Sequence, residues 1–355
     1  VCYGDASKNS DLDDLILLEK MGVKVTLVKY RRLTALANLF SAMFHRNIPF
    51  QCAIYFSKEF KEVFTKQIEL ISPDFVYCIM ARIALNIPDE RHPLIVDLVD
   101  SLALNFSRRA KKSVGIKKFL LEKELGRIGR FENQLVARSR LSFVVSSLDQ
   151  AAIGSKKVRV IPLGLDLNND SEPRESPYDK IIVFTGNMNY QPNVEAAFWF
   201  VSKCWSSIKM EHPTASLVIA GANPTNGIRS LSRQDSAIVV TGRVPSLSAI
   251  IRGASVAIAP MQSGSGMQYK VLEAMSANVP VVATTIGLGG LKARPGRHIL
   301  IGDSAEEFIV NVSSLLMNPS LNISIGSSGG EYVSNYHSAS YMNKIFLDEV
   351  KAILN

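Results

Sequence analysis

Apolar residues follow two rhythms along this chain of 355 residues. Short unbroken apolar runs bounded by turn residues alternate with longer stretches whose apolar positions recur every three or four residues. In the second half the runs are Ile181–Gly186 (IIVFTG), Ser216–Gly221 (SLVIAG), Ala237–Gly242 (AIVVTG), Ser255–Pro260 (SVAIAP) and Val279–Thr284. Each reads as a strand covered on both faces and ending in small residues. In the first half, strands are expected at the end of Val1–Tyr3 and over Val23–Val28, Phe75–Met80, Pro93–Val99, Leu141–Ser146 and Val158–Ile161. Helical spacing covers Asp11–Met21, residues 31–50, Phe56–Ile71 and a tail helix over Tyr332–Leu354. This alternation predicts an α/β fold with parallel sheets and helices on both faces. The polar, Pro-containing stretch 163–180 is the expected linker. It divides the chain into domains at 1–165 and 178–335, with 336–355 as a tail helix.

Ligands of parallel sheets sit beyond the carboxyl ends of the strands. Gly186, Gly221, Gly242, the loop at 263–266 and Thr284 would therefore share one edge. The stretch Ser255–Thr284 reads as strand, glycine-rich loop, helix from about Met267 to Ala277, and strand. Amides at such a helix start are unpaired and carry partial positive charge, which suits a phosphate. Lys270 and Glu273 share one helix face. A lysine in the first turn opposes the helix dipole unless an anion lies beside it. Glu273, one turn further in, is placed to accept hydrogen bonds from two sugar hydroxyls. The competing explanation is a tight loop followed by a solvated Lys–Glu pair. Trp199 and Trp205 are expected in the core.

Charge divides the chain. Residues 1–162 hold 26 Lys+Arg against 17 Asp+Glu, or +9, and residues 163–355 hold 14 against 15, or −1. A basic half suits nucleic acid, an anionic membrane surface or a phosphorylated acceptor. No basic motif interleaved with aromatic residues favours nucleic acid. Basic residues concentrate between Arg108 and Arg140, where Phe119, Leu120, Ile128, Phe131 and Leu135 recur at helical spacing. That pattern fits either a helix lying on an anionic membrane or a core helix with a solvated basic side. Cys2, Cys52, Cys78 and Cys204 are scattered without CxxC spacing and are expected as buried thiols. The five histidines form no HxxxH or HExxH pair, so no metal site is expected. No apolar run approaches the roughly 20 residues of a membrane-spanning helix.

The motif GxxxKVLEAMSANVPVVAT, with FTGNMNYQPNVEA upstream, resembles the group-1 glycosyltransferases. DLVDSLALNFSRR resembles a subgroup of bacterial sugar transferases of exopolysaccharide and lipopolysaccharide assembly. The resemblance implies GT-B architecture, with two Rossmann-like domains facing a cleft, and transfer from a nucleotide sugar to a glycan or polyprenyl-linked acceptor. It implies retention, no cofactor, no metal, a cytoplasmic location at the inner face of the membrane, and a tail helix over 336–355 that crosses back onto the first domain. By residue, Glu273 matches the ribose ligand, and Gly264, Ser265, Gly266, Met267 and Lys270 match the diphosphate region. Gly186 and Asn187 match the turn facing the donor, with Gly221 on the same edge; Gly242 to Val244, with Arg243, matches the place where the base is read. Asp100 and Ser101, with Arg82, belong on the acceptor side; Asp100 would orient or deprotonate the acceptor hydroxyl, or else cap the next turn. Lys270 and Glu273, with Asp100, form the expected catalytic set.

The chain departs from the family in three places. Ser265 stands where many relatives have a glutamate, TGNMNYQPN lacks their Arg and Lys, and Asp100 stands where a histidine is common. A non-catalytic partner subunit, or a nucleotide-sugar epimerase or hydrolase, are the alternatives.

Overall fold

A computed structural model describes residues 1–5, 9–45, 47–88, 92–111, 113–166, 180–263 and 268–354. Contacts divide the chain into two compact units, one of Val1–Val160 with Val350–Asn355 and one of Ile161–Glu349.

In unit 1, β1 (Cys2–Tyr3) and β2 (Leu27–Val28) form a small parallel pair separated by α1 (Asn9–Lys20). The expected strand Val23–Val28 pairs only over its last two residues, because β1 offers only two partners. The expected helix over 31–50 is two helices, α2 (Arg32–Phe44) and α3 (Phe50–Ile54), with Pro49 in extended backbone as the N-cap of α3. After α4 (Lys58–Ile71) come β3 (Val76–Ile79), a 3-10 turn over Ala81–Asn86, and β4 (Leu94–Asp97). A helical hairpin of α5 (Leu102–Lys111) and α6 (Gly115–Arg138) leads to β5 (Leu141–Val144), α7 (Ser147–Ile153) and β6 (Val158–Val160). The four strands lie parallel in the order β3-β4-β5-β6. Cys52 and Cys78 are buried, but Cys2, on a strand paired on one side only, is exposed, contrary to expectation.

Unit 2 is built on six parallel strands. β7 (Ile181–Thr185), β8 (Ser216–Ala220), β9 (Ile238–Gly242), β10 (Val256–Ala259), β11 (Val281–Ala283) and β12 (Leu300–Ile301) are ordered β12-β11-β10-β7-β8-β9. Between β7 and β8 run α8 (Gln191–Phe200), a π turn over Val201–Trp205, and α9 (Ser206–Glu211). The other connections are α10 (Asn226–Gln234), α11 (Leu247–Arg252), α12 (Tyr269–Ser276) and α13 (Thr285–Leu288). Trp205 is buried and bonds Asp235 at 2.7 Å, and Trp199 packs edge-on against Phe308, so both tryptophans serve the core.

The chain closes with α14 (Ala305–Met317), α15 (Pro319–Tyr336) and α16 (Ala339–Leu354). The single tail helix expected over Tyr332–Leu354 is broken at His337 and Ser338. There the backbone leaves the helix to pair with Leu165, through Leu165 N–H to His337 O and Ala339 N–H to Leu165 O, both 2.7 Å. Buried His337 completes the join through Leu163 O and the Tyr332 hydroxyl. Residues 161–166 accordingly go with unit 2. No single described helix is long and apolar enough to cross a membrane. α14 and α15 pass that test together by composition, but they meet at 105° and bury Phe308, Val312, Ile325 and Val333 in the core.

Gly221, just past β8, has φ +141°, and a Cβ there would lie 1.9 Å from Gly186 O. The turns after β7 and β8 are therefore in backbone contact that only glycine allows. Gly221→Ala should cost about 3 kcal/mol or more in urea unfolding. Gly242→Ala, with φ +70° and nothing within 4 Å of its Cβ, should cost about 1–2 kcal/mol. Equal costs at the two positions would contradict the packed-turn account.

Candidate functional site

The strand order reverses between β7 and β10. From β7 the chain proceeds outward through β8 and β9, then returns to β10 and proceeds the other way. A crevice opens at such a switch point, beyond the carboxyl ends of the two strands. Two chain segments border it: the turn from Gly186 into α8, and the described ends of the connection between β10 and α12, residues 261–263 and Gln268.

The first segment is held by asparagines. The Asn193 side chain donates to Asn187 O at 3.0 Å, and Asn187 Oδ1 accepts from Asn189 N–H at 3.1 Å. The second is held by hydroxyls. The Thr284 hydroxyl donates to Met261 O at 2.8 Å, and the Ser263 hydroxyl donates to Glu195 on α8 at 2.5 Å. Glu195, itself bonded by Gln191, thus ties the two borders together. Gly264, Ser265, Gly266 and Met267 lie outside the described residues.

Lys270 is in the first turn of α12, whose start has no side-chain cap. α8, the other helix facing the switch point, is also uncapped, whereas α10, α11, α13, α14 and α15 each have a Ser, Thr or Asn cap. The α12 start thus turns amides without a side-chain cap toward the crevice, whereas at the α8 start Pro192 has no N–H and Asn193 N–H is taken by Tyr190 O at 2.9 Å. The Lys270 ammonium donates to Gln268 Oε1 at 3.0 Å and lies 3.9 Å from Met261 Sδ and 5.8 Å from the Phe184 ring centroid. Among the described residues no carboxylate lies within ion-pair distance of it. Desolvation pushes its pKa down to about 8, against a small opposing pull from Glu273. The half-buried Glu273 is raised by desolvation and lowered by Lys270. These two groups are neighbours without being paired, so the solvated Lys–Glu pair is not what the fold builds.

The remaining donor-side residues are spread along the same edge. The Cβ position of Gly221 is filled by Gly186 O, and Gly221 N–H donates to Gly242 O at 3.2 Å. Gly242, exposed Arg243 and Val244 end β9, two strands from β7, or about 10 Å.

In unit 1, Asp100 and Ser101 follow β4, and Arg82 follows β3, its neighbour in the sheet. Met80 (φ 71°) and Val99 (φ 65°), at the ends of these strands, both hold left-handed backbone. For a valine this is a strained conformation, costing about 1–3 kcal/mol. It is fixed by Val145 N–H donating to Val99 O and Val99 N–H donating to Asp97 Oδ1. The Asp100 carboxylate accepts from Asn105 Nδ2 at 2.6 Å; burial raises its pKa, with Arg82 among the opposing influences. It does not cap α5. That task falls to Glu132, which accepts from Leu102 N–H at 2.6 Å and Ala103 N–H at 3.3 Å, and to Asp149, which accepts from Ser101 N–H. Ser101 is fully buried, its hydroxyl donating to Glu132 and accepting from Leu104 N–H. Its expected place on the acceptor side is thus corrected: it faces inward as part of the α5 start. Arg82 donates to Gln51 at 3.0 Å. Glu132, Asp149, Glu195 and Gln268 were not singled out from sequence; Glu132 was detectable as an acid in register with apolar Ile128 and Leu135. Among the described residues, no group of three or more His, Cys, Asp or Glu is placed to hold a metal ion.

A partly buried, desolvated cation without an ion pair weakens the folded state below its depressed pKa, and the penalty disappears as pH rises from about 8 to the ordinary lysine value of 10.5. Lys270→Met should therefore stabilise the ligand-free protein at pH 7, by up to about 3 kcal/mol in urea unfolding. The difference from wild type should shrink between pH 8 and 10.5. A destabilised variant would show that Lys270 is compensated after all.

Residues 179–318 match the family model described as "Glycosyl transferases group 1". The "Uncharacterized 44.6 kDa protein in cps region" of Klebsiella pneumoniae is 29% identical over 184 residues, covering 48% of this chain and 47% of that protein. The chain thus spans about half the length of the curated relative it matches. Among solved structures, Anabaena Alr3699/HepE in complex with UDP and glucose has TM-score 0.65 and 13% identity, covering 95% of this chain and 88% of that one. A glycosyltransferase from Rickettsia africae ESF-5 has TM-score 0.65 and 13% identity, covering 99% and 97%. Residues 179–318 thus match the group 1 glycosyl transferase model, in a chain with the GT-B fold.

Proposed function

We propose that the protein is a glycosyltransferase that moves a sugar from a nucleoside diphosphate to a glycan or lipid-linked acceptor in surface-polysaccharide assembly. It would work at the inner face of the cytoplasmic membrane. The observation that carries this is the Lys270 ammonium, unpaired with any described carboxylate at the switch point beside the uncapped start of α12. A diphosphate supplies the missing negative charge and accepts hydrogen bonds from the free amides. The group 1 match over this unit and the structurally similar HepE, solved with UDP and glucose, support the same donor class.

In this proposal Glu273 holds the ribose hydroxyls, and the backbone from Gly242 to Val244, with Arg243, meets the base. Chemistry is mainly electrostatic. The bond between the anomeric carbon and the phosphate oxygen breaks, its electron pair passes to the diphosphate, and Lys270 and the amides stabilise the charge as it develops. The acceptor hydroxyl attacks on the same face, giving retention, and its proton passes to the departing phosphate oxygen. Asp100, held by Asn105, orients that hydroxyl. The positive charge comes from the chain, so chelators should leave activity intact.

Thermal melting across nucleoside diphosphates and their sugars tests the donor site. A ligand at 100 times its dissociation constant adds about 2.7 kcal/mol to stability. One base series should raise the melting temperature selectively. Glu273→Ala should weaken that binding by about 1–3 kcal/mol. A flat panel for a well-folded protein would favour a partner subunit without a working donor site.

A further inference from the structure

The tip of the α5–α6 hairpin is an uncovered apolar surface set among cations. α5 begins beside Glu132 of α6, where Leu102 N–H meets the carboxylate, and runs back along that helix. Ten residues of helix rise about 15 Å, so α5 ends near the level of Leu121. Ala110 and Leu121 are buried in the same core. Residues 114–120 continue past this level, and every one of them is exposed. They include Val114, Ile116, Phe119 and Leu120, at 85%, 79%, 54% and 58% exposure. Single exposed apolar side chains are ordinary, but a contiguous group of four at the end of a helix marks an interaction surface.

The surrounding charge is of one sign. Residues 108–123 contain seven Lys and Arg and one Glu, or +6. Lys118 spends its charge on a loose, exposed pair with Glu122, and Lys123 lies over the Phe119 ring at 4.5 Å. The other exposed cations here, Arg109, Lys111 and Lys117, form no ion pair with a described residue. Apolar side chains at a helix tip with lysines and arginines around them match the two layers of a bilayer interface, acyl boundary and anionic headgroups. α2 also exposes apolar side chains, including Leu36 and Phe40, but Arg32 is its one charged residue.

We propose that the α5–α6 tip docks on an anionic lipid bilayer, with Ile116, Phe119 and Leu120 entering the acyl boundary while Lys111, Lys117 and Lys123 engage the headgroups. α5 starts just beyond the carboxyl end of β4, so the tip projects from the sheet edge that carries Asp100. Docking would hold that edge toward the membrane. The proposal deepens the assigned function by naming the surface on which a lipid-linked acceptor would be met, and it rests on that function only for its purpose.

Flotation of the full chain with phosphatidylcholine vesicles, with and without phosphatidylglycerol, tests it. The wild type should float only with the anionic vesicles. The triple variant Ile116→Ser, Phe119→Ser, Leu120→Ser should lose about 10-fold or more in partitioning. Lys111→Gln with Lys117→Gln should lose binding most at low salt. Leu36→Ser with Phe40→Ser in α2 should leave flotation unchanged. Because these positions are exposed, thermal melting should match the wild type, and the donor-induced melting shift, which reads unit 2, should persist in every variant. Wild type that does not float, a triple variant that floats normally, or a loss confined to the α2 variant would each overturn the proposal. Flotation without any donor shift would sink the assigned function and leave the docking surface standing.

Discussion

A lysine ammonium held against an amide oxygen, a thioether and an aromatic ring, with no described carboxylate at ion-pair distance, is the constraint around which unit 2 is organised. Such a group is costly to fold around. It is placed there by strong apolar packing. Val271, Leu272 and Met275 of α12 are almost wholly buried, which fixes the helix on the sheet with Lys270 in its first turn. The strand order puts that edge at the single position where neighbouring connections diverge. Sheet topology makes the crevice, α12 delivers the cation, and its uncapped start adds amides of the same sign.

Unit 1 stores its cost differently. Two non-glycine residues in left-handed backbone, Met80 and Val99, end adjacent strands directly before Arg82 and Asp100. Behind them, buried Glu132 and Asp149 take the amide hydrogen bonds at the start of α5. Burial pushes Glu132 up to about 7, so this is an expensive way to cap a helix. It leaves the Asp100 carboxylate free of the capping role and available at the edge. Both units thus keep costly polar groups at the carboxyl ends of parallel strands, where an α/β fold places ligands.

Local patterns sufficed for the strands of the second sheet, because runs such as IIVFTG and SVAIAP are continuous, apolar and closed by small residues. Lys270 and Glu273 were legible for a similar reason: helical spacing and the position of a lysine in a first turn are both local facts. What was not legible depended on distant partners. The tail helix breaks at His337 because Leu163 and Leu165, far away in sequence, claim its backbone and ring. Amphipathic reading of residues 108–140 dealt with the basic side alone, yet Glu124 and Glu132 turn inward to meet the amides of Phe50 and Leu102. The same reading left Phe119 and Leu120 either in the core or on a membrane; α5 is too short to cover them, and both are exposed. Ser101 looked like a site residue beside Asp100, and only the Glu132 side chain from the next helix reveals its structural role.

The protonation of Lys270 tests the central claim most directly. Titration of the Lys270 side chain by NMR, assigned by comparison with Lys270→Met, should give a pKa of about 8 in the ligand-free protein. Saturation with the nucleoside diphosphate that stabilises the fold should return it toward the ordinary lysine value, since a bound diphosphate favours the charged form. A ligand-free value already near 10.5, or one that does not move when the diphosphate binds, would mean that this cation is not held in wait for an anion.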